Sequence, residues 1–174
     1  MELNSLVKKL VISGASAAVI LGAFLHLKED TRLYAYQDAG GIWTICDGLT
    51  TYQGKPVRKG MRLTAEQCKT ESARRHNEAV AWVKSHISSG VKLSEPQIAG
   101  VASFCYWNIG PAKCLNSTFW KELNTGRTKS ACEQVKRWIY DGGKDCRIRS
   151  NNCFGQVDRR EQESALICWG ITQT

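Results

Sequence analysis

From Leu10 to Leu27 the chain runs 18 residues without a fixed charge, nine of them Leu, Val, Ile or Phe. As one helix this stretch would be about 27 Å long, just short of a bilayer's hydrocarbon core of roughly 30 Å. Ser13, Gly14, Ser16, Gly22 and His26 dilute the aliphatic residues, so the pattern predicts a membrane span of marginal length and hydrophobicity. Lys8 and Lys9 precede it, whereas Lys28, Glu29 and Asp30 come after it; the positive-inside rule then keeps the N-terminus cytoplasmic and exports everything after residue 28. Small residues at Ala15, Ala17 and Ala18 suggest a signal-peptidase site, but the apolar run continues past them and leaves too short a hydrophobic region upstream. The expectation is an uncleaved anchor over residues 1–28 and one exported domain over 29–174. The same Gly, Ala and Ser residues would also permit close packing of this segment as a helix within a folded domain.

Beyond the anchor the pattern changes twice. Residues 33–58 mix aromatic and β-branched positions with Gly, including Gly40–Ile45 and Gly54–Val57, which predicts short antiparallel strands. A helical period succeeds them: Cys68, Ser72, His76, Ala79, Val80, Val83 and Ile87 share one face of a helix over 65–88, opened by the capping pair Thr64 and Gln67. Ser94 with Gln97, and Pro96 in the first turn, open a helix to about 108 with Ile98, Val101, Ala102 and Cys105 as its apolar stripe. Ser117 caps a short helix ending before Gly126. Ser130 with Glu133 predicts another reaching Tyr140, stopped by Gly142 and Gly143, and a last helix covers 156–169. The result is an α+β domain with a small sheet beside a helical lobe.

Composition narrows the setting. The 174 residues carry 24 Lys plus Arg against 16 Asp plus Glu, a formal charge of +8, and 43% are apolar, enough for a sizeable core. The basic residues are scattered and lack a groove-reading or base-stacking motif, so nucleic acid is not an expected partner. Eight Cys point to an oxidising compartment. No Cys-x-x-Cys pair or nearby His at ligand spacing exists, so neither a metal site nor another cofactor is expected. Short loops favour Cys146–Cys153 and Cys105–Cys114 bridges, leaving Cys46, Cys68, Cys132 and Cys168 to pair among themselves.

The segment after the anchor places Glu29, Asp38 and Thr44 at spacings of nine and six. Glycoside hydrolysis needs a carboxylic acid for the leaving oxygen and, for inversion, a second group across the bond to activate water. Singly, each residue has a plain alternative: an interfacial charge, a turn former before Gly40, an ordinary strand residue. Jointly they resemble the motif of the phage-type lysozymes, or endolysins: Glu, eight residues, Asp or Cys, five residues, Thr, set in a helix followed by a β-hairpin. Ser103–Gly110, Ser117–Asn124 and Arg159–Gly170 are similar to later helices of that family, the first with its Asn-x-Gly end. With its weak anchor the chain looks like the signal-anchor-release (SAR) subgroup from tailed phages of Gram-negative bacteria.

The resemblance implies a lysozyme-like fold and a muramidase that cleaves the β-1,4 bond between N-acetylmuramic acid and N-acetylglucosamine. It further implies Glu29 as general acid, Asp38 as electrostatic stabiliser or water-orienting group, Thr44 as the residue holding that water, and an inverting course. Expected partners are peptidoglycan, the host secretion machinery and the inner membrane through residues 10–27. A monomer is expected, anchored and then released into the periplasm, and strengthening the anchor with Leu at Gly14 and Gly22 is expected to oppose release. One departure is that Cys46, Asp47, Gly48 and Leu49 come after Ile45 where the family usually has Gly-x-Gly-His. Asp47 thereby adds a carboxylate that could share the role given to Asp38. The anchor also lacks Cys, which argues against activation by thiol exchange. The alternative class is an anchored periplasmic module that binds glycan without cutting it.

Overall fold

The computed structural model describes residues 3–27, 31–38 and 40–171. It contains two compact units, one formed by residues 1–21 with 79–174 and the other by residues 22–78. The boundary expected at residue 28 falls outside the described residues.

The continuous N-terminal helix predicted over 10–27 is not formed. The chain instead makes α1 (Ser5–Ile12) and α2 (Ala17–His26). Asn4 caps α1 by accepting the Leu6 N–H at 2.9 Å, and Gly14, at φ +76°, ends it in the left-handed conformation that glycine adopts without steric cost. In the first unit Val7 and Val11 are buried, as are Ala17, Ile20 and Leu21 of α2. The Ala17 N–H donates to Glu95 Oε2 at 2.6 Å, so a carboxylate meets the positive end of α2. Among the described residues no helix is long and apolar enough to cross a membrane.

In the second unit, β1 (Arg32–Gln37) pairs antiparallel with β2 (Trp43–Cys46), Tyr36 opposite Thr44 and Gln37 opposite Trp43. A small ribbon of β3 (Thr51–Tyr52) and β4 (Lys55–Pro56) comes next, then the start of α3 (Ala65–His86). The expected cap of α3 is present: the Thr64 N–H donates to Gln67 Oε1 at 2.8 Å and the Gln67 N–H to Thr64 Oγ1 at 3.1 Å. Ile45, Cys46, Leu49, Val57, Leu63 and Cys68 form the core of this unit. Cys46 has φ +56°, a conformation costly for a residue with a Cβ. This is the position at which the resembling family carries turn Gly, and here the Cys46–Cys68 disulfide ties the end of β2 to α3.

The first unit continues with α4 (Glu95–Val101), which passes into a π-helical segment over Ala102–Ile109. Then come α5 (Pro111–Leu115), α6 (Thr118–Asn124), α7 (Thr128–Val135) and α8 (Gly155–Ile167). Ser94 and Gln97 form the predicted capping box of α4, and Ser117 Oγ accepts the Trp120 N–H at the start of α6. The helix predicted from Ser130 to Tyr140 is shorter and starts earlier. Arg127 stands at its N-cap, and beyond Val135 the chain turns into a hairpin of β5 (Tyr140–Asp141) and β6 (Lys144–Asp145). Gly142 and Gly143 both have positive φ, the requirement of a two-residue hairpin turn, so they join strands rather than merely stopping a helix. Gly100 is needed where α4 approaches α8, since a Cβ there would lie 2.8 Å from Ile167 Cγ1. Cys105–Cys114 and Cys146–Cys153 form as expected, and the remaining pair in this unit is Cys132–Cys168.

Closing the loop between Cys46 and Cys68 stabilises the fold by about 3 kcal/mol. Cys46→Ala with Cys68→Ala is expected to lose roughly that amount in urea unfolding. Cys46→Gly with Cys68→Ala is expected to recover about 1 kcal/mol, because glycine accepts the positive φ.

Candidate functional site

Glu29 lies outside the described residues. The other two candidates belong to the β1–β2 hairpin of the second unit. Asp38 sits at its exposed turn, where Oδ1 accepts the N–H groups of Gly40 and Ile42, each at 2.9 Å. A side chain that folds its own turn in this way is fixed in direction. Thr44, only 3% exposed, lies on β2, and its Oγ1 donates to the Ile42 carbonyl at 3.0 Å. That bond uses the hydroxyl proton and leaves the oxygen able to accept one from water. The hairpin therefore carries a carboxylate at its turn and an oriented hydroxyl in its second strand.

Asp47 is engaged elsewhere. It is buried, and Ser72 Oγ of α3 donates to its Oδ1 at 2.6 Å. His76, one turn beyond Ser72, is also buried. Burial holds its imidazole below the usual histidine range, while Asp47 opposes and Arg75 reinforces that shift. These groups wall a cavity of about 320 Å³ together with Gly22 and His26 of α2 and Thr31. His26 and Thr31 stand on either side of residues 28–30 in sequence. The periodicity of the sequence places Ser72 and His76 on the inner face of α3 but does not show the bond of Ser72 to Asp47; two polar residues one turn apart in an apolar stripe are the available signal.

In the first unit, Asn108 of the Asn-x-Gly segment is held by a buried ion pair. Arg160, 1% exposed, donates to Asn108 Oδ1 and Glu163 Oε2, and to a third acceptor, Gln156 Oε1, at 3.0 Å. Ser103 Oγ donates to Glu163 Oε1 at 2.6 Å, and the Arg160 guanidinium lies 5.2 Å from the Phe104 ring centre. Burial pushes the Glu163 carboxyl up against the opposing pull of Arg160 and Arg159. The π-helical winding that ends at Gly110 presents Ser103 and Asn108 to this pair, an arrangement that apolar periodicity does not reveal. Among the described residues no cluster of His, Cys, Asp or Glu is arranged to hold a metal ion.

The family model for phage lysozyme matches residues 27–163. The chain belongs to the phage lysozyme family. It is 55% identical over 169 residues to a SAR-endolysin of Escherichia phage 933W, spanning 97% of this chain and 94% of the relative. It is equally similar over 171 residues, 98% and 96% of the two chains, to a probable prophage lysozyme of Escherichia coli. An endolysin from the Escherichia coli phage FAHEc1 has a solved structure that matches with TM-score 0.70 at 28% identity, covering 100% of this chain and 98% of that one. The α+β, lysozyme-like fold expected from the sequence is thus the fold of this chain. This member of the phage lysozyme family is a glycoside hydrolase, a muramidase acting on peptidoglycan in host lysis. Family membership decides for hydrolysis over the glycan-binding module.

Replacing Glu163 by Gln leaves Arg160 as an uncompensated buried charge. Such a change costs about 3–5 kcal/mol, and urea unfolding at pH 7 of Glu163→Gln against wild type is expected to show a loss in that range.

Proposed function

We propose that Glu29 is the general acid of this muramidase, that Asp38 stabilises developing oxocarbenium charge or orients the attacking water, and that Thr44 holds that water. The observation that carries this reading is the β1–β2 hairpin, with Asp38 fixed at its turn and the Thr44 hydroxyl oriented on β2. Protonation of the glycosidic oxygen by Glu29 breaks the bond to the leaving sugar. Water held by Thr44 then attacks the opposite face of the oxocarbenium-like centre, giving up a proton to the Asp38 carboxylate, which releases it to solvent as Glu29 is reprotonated, and the reaction inverts.

The protein is exported by the host secretion machinery and held in the inner membrane through residues 10–27, with the N-terminus cytoplasmic and the catalytic part periplasmic. Collapse of the membrane potential then releases it into the periplasm as a monomer. The name of the 933W relative, SAR-endolysin, supports this order of events. So does the segment itself. Val11, Ile20, Leu21, Phe24 and Leu25, which would face lipid in an anchored form, are buried within the folded protein. Removing each from water is worth about 1.5–3 kcal/mol, so the segment has a protein interior as an alternative to the bilayer. All eight cysteines are consumed in disulfides, which supports a release step without thiol exchange. A basic surface, +8 overall, draws the released enzyme to the acidic wall polymer.

Glu29→Gln is expected to lower release of muropeptides ending in reducing N-acetylmuramic acid by about 10²- to 10⁴-fold, measured by mass spectrometry on oxidised full-length protein. Undiminished release by a folded Glu29→Gln variant would remove Glu29 from the role of acid.

A further inference from the structure

The C-terminal half of α2 meets α3 at one point where no side chain fits. A Cβ added at Gly22 would lie 2.9 Å from Nδ1 and 3.0 Å from Cε1 of His76, closer than van der Waals contact permits. His76 is itself buried, and it stands one turn from Ser72, whose hydroxyl is bonded to buried Asp47. The imidazole thus meets the backbone of α2 at Gly22 and shares one cavity wall with Asp47 and Ser72. Phe24 and Leu25, in the next turn of α2, are fully buried. Four residues after Leu25 the chain reaches Glu29.

We propose that His76 is a positioning residue: its imidazole, seated on Gly22, sets α2 against α3 and so fixes the direction in which the chain delivers Glu29. This role rests on the reading of Glu29 as the acid and of α2 as a segment that docks after release. It gives Gly22 a function that the anchor alone does not require. Gly22→Leu therefore tests more than membrane retention, because any larger residue there also obstructs the docked state.

The contact is sensitive to acid. The groups facing His76 are Asp47, from the turn after β2, and Arg75, on its own helix; His26 of α2 and Lys69 of α3 lie on the same cavity wall. Burial is the strongest influence and holds the imidazole neutral, Asp47 favours the charged form, and Arg75 disfavours it. With α2 undocked, His76 returns toward its ordinary value of about 6.5. The undocked state then binds the proton more readily than the docked one. Docking is complete above about pH 6.5 and weakens as pH falls through the lowered docked value.

The test uses oxidised full-length wild type, Gly22→Ala, His76→Ala and the double variant, each assayed for muropeptide release and for thermal melting at pH 7.5 and 5.5. At pH 7.5 Gly22→Ala is expected to lose between about tenfold and a hundredfold in release, as a displaced catalytic group does. The double variant, in which the added methyl enters the space left by the imidazole, is expected to return to the level of His76→Ala. Wild type is expected to melt lower at pH 5.5 than at 7.5 by a margin that His76→Ala lacks. A double variant as impaired as Gly22→Ala, or Gly22→Ala indistinguishable from wild type, overturns the proposal. So does equal pH dependence of melting in wild type and His76→Ala. If Gly22→Ala alone fails to fold, the double variant still decides. Assay of Glu29→Gln separates the two readings: unchanged release by that variant refutes the acid, whereas the melting comparison judges the seat of His76 independently.

Discussion

Ile20, Leu21, Phe24 and Leu25 occupy a short stretch of α2 and are all fully buried; the whole N-terminal side of this enzyme is shaped by the need to remove them from water. In the folded protein the interior meets that need; in the proposed anchored state lipid would. A helix that serves two solvents cannot be optimal for either. For the bilayer it is short and interrupted by Ser13, Gly14 and Ser16, and for the protein it must offer Gly22 to the His76 ring. The weakness of the segment as an anchor and its fitness as a packed helix are thus the same property of composition.

The second unit is small, and its core is correspondingly thin. Ile45, Leu49, Val57 and Leu63 alone would hold a two-stranded hairpin loosely. The Cys46–Cys68 bridge adds the missing constraint and also holds Cys46 in a backbone conformation that favours glycine. Rigidity here bears on the chemistry proposed for Asp38 and Thr44, because both are borne on the strands and turn that the bridge secures. The buried Arg160–Glu163 pair plays a comparable part in the first unit, where it fastens the π-helical segment through Ser103 and Asn108.

Local signals in the sequence are reliable where they describe chemistry within a few residues. Thr64 with Gln67, Ser94 with Gln97, and Ser117 all cap helices as their spacing suggests, and the two shortest cysteine loops close. They mislead where tertiary packing overrides local preference. Ser130 opens no helix because the turn before it starts at Arg127, and the paired glycines at 142 and 143 nucleate a hairpin. The break at Gly14 has a sequence signal, Ser-Gly after an apolar turn, masked by the hydrophobicity of the residues beyond it. Of the candidate site, the hairpin carrying Asp38 and Thr44 is legible, since both residues lie in one strand–turn–strand unit. The commitment of Asp47 to Ser72 is not, because it joins residues 25 apart whose approach depends on the fold.

The hydrogen bond from Ala17 to Glu95 spans 78 positions of the chain, and it has a temporal meaning. A loop of that size costs about 4 kcal/mol of chain entropy to close, beyond a fixed initial term, so this contact forms only when favourable packing around it is ready. Ala17 thus awaits a partner made 78 residues later, and the intervening chain can fold and oxidise before the two meet. Synthesis order and contact order thus differ for α2: the helix is made well before the carboxylate that meets its first turn.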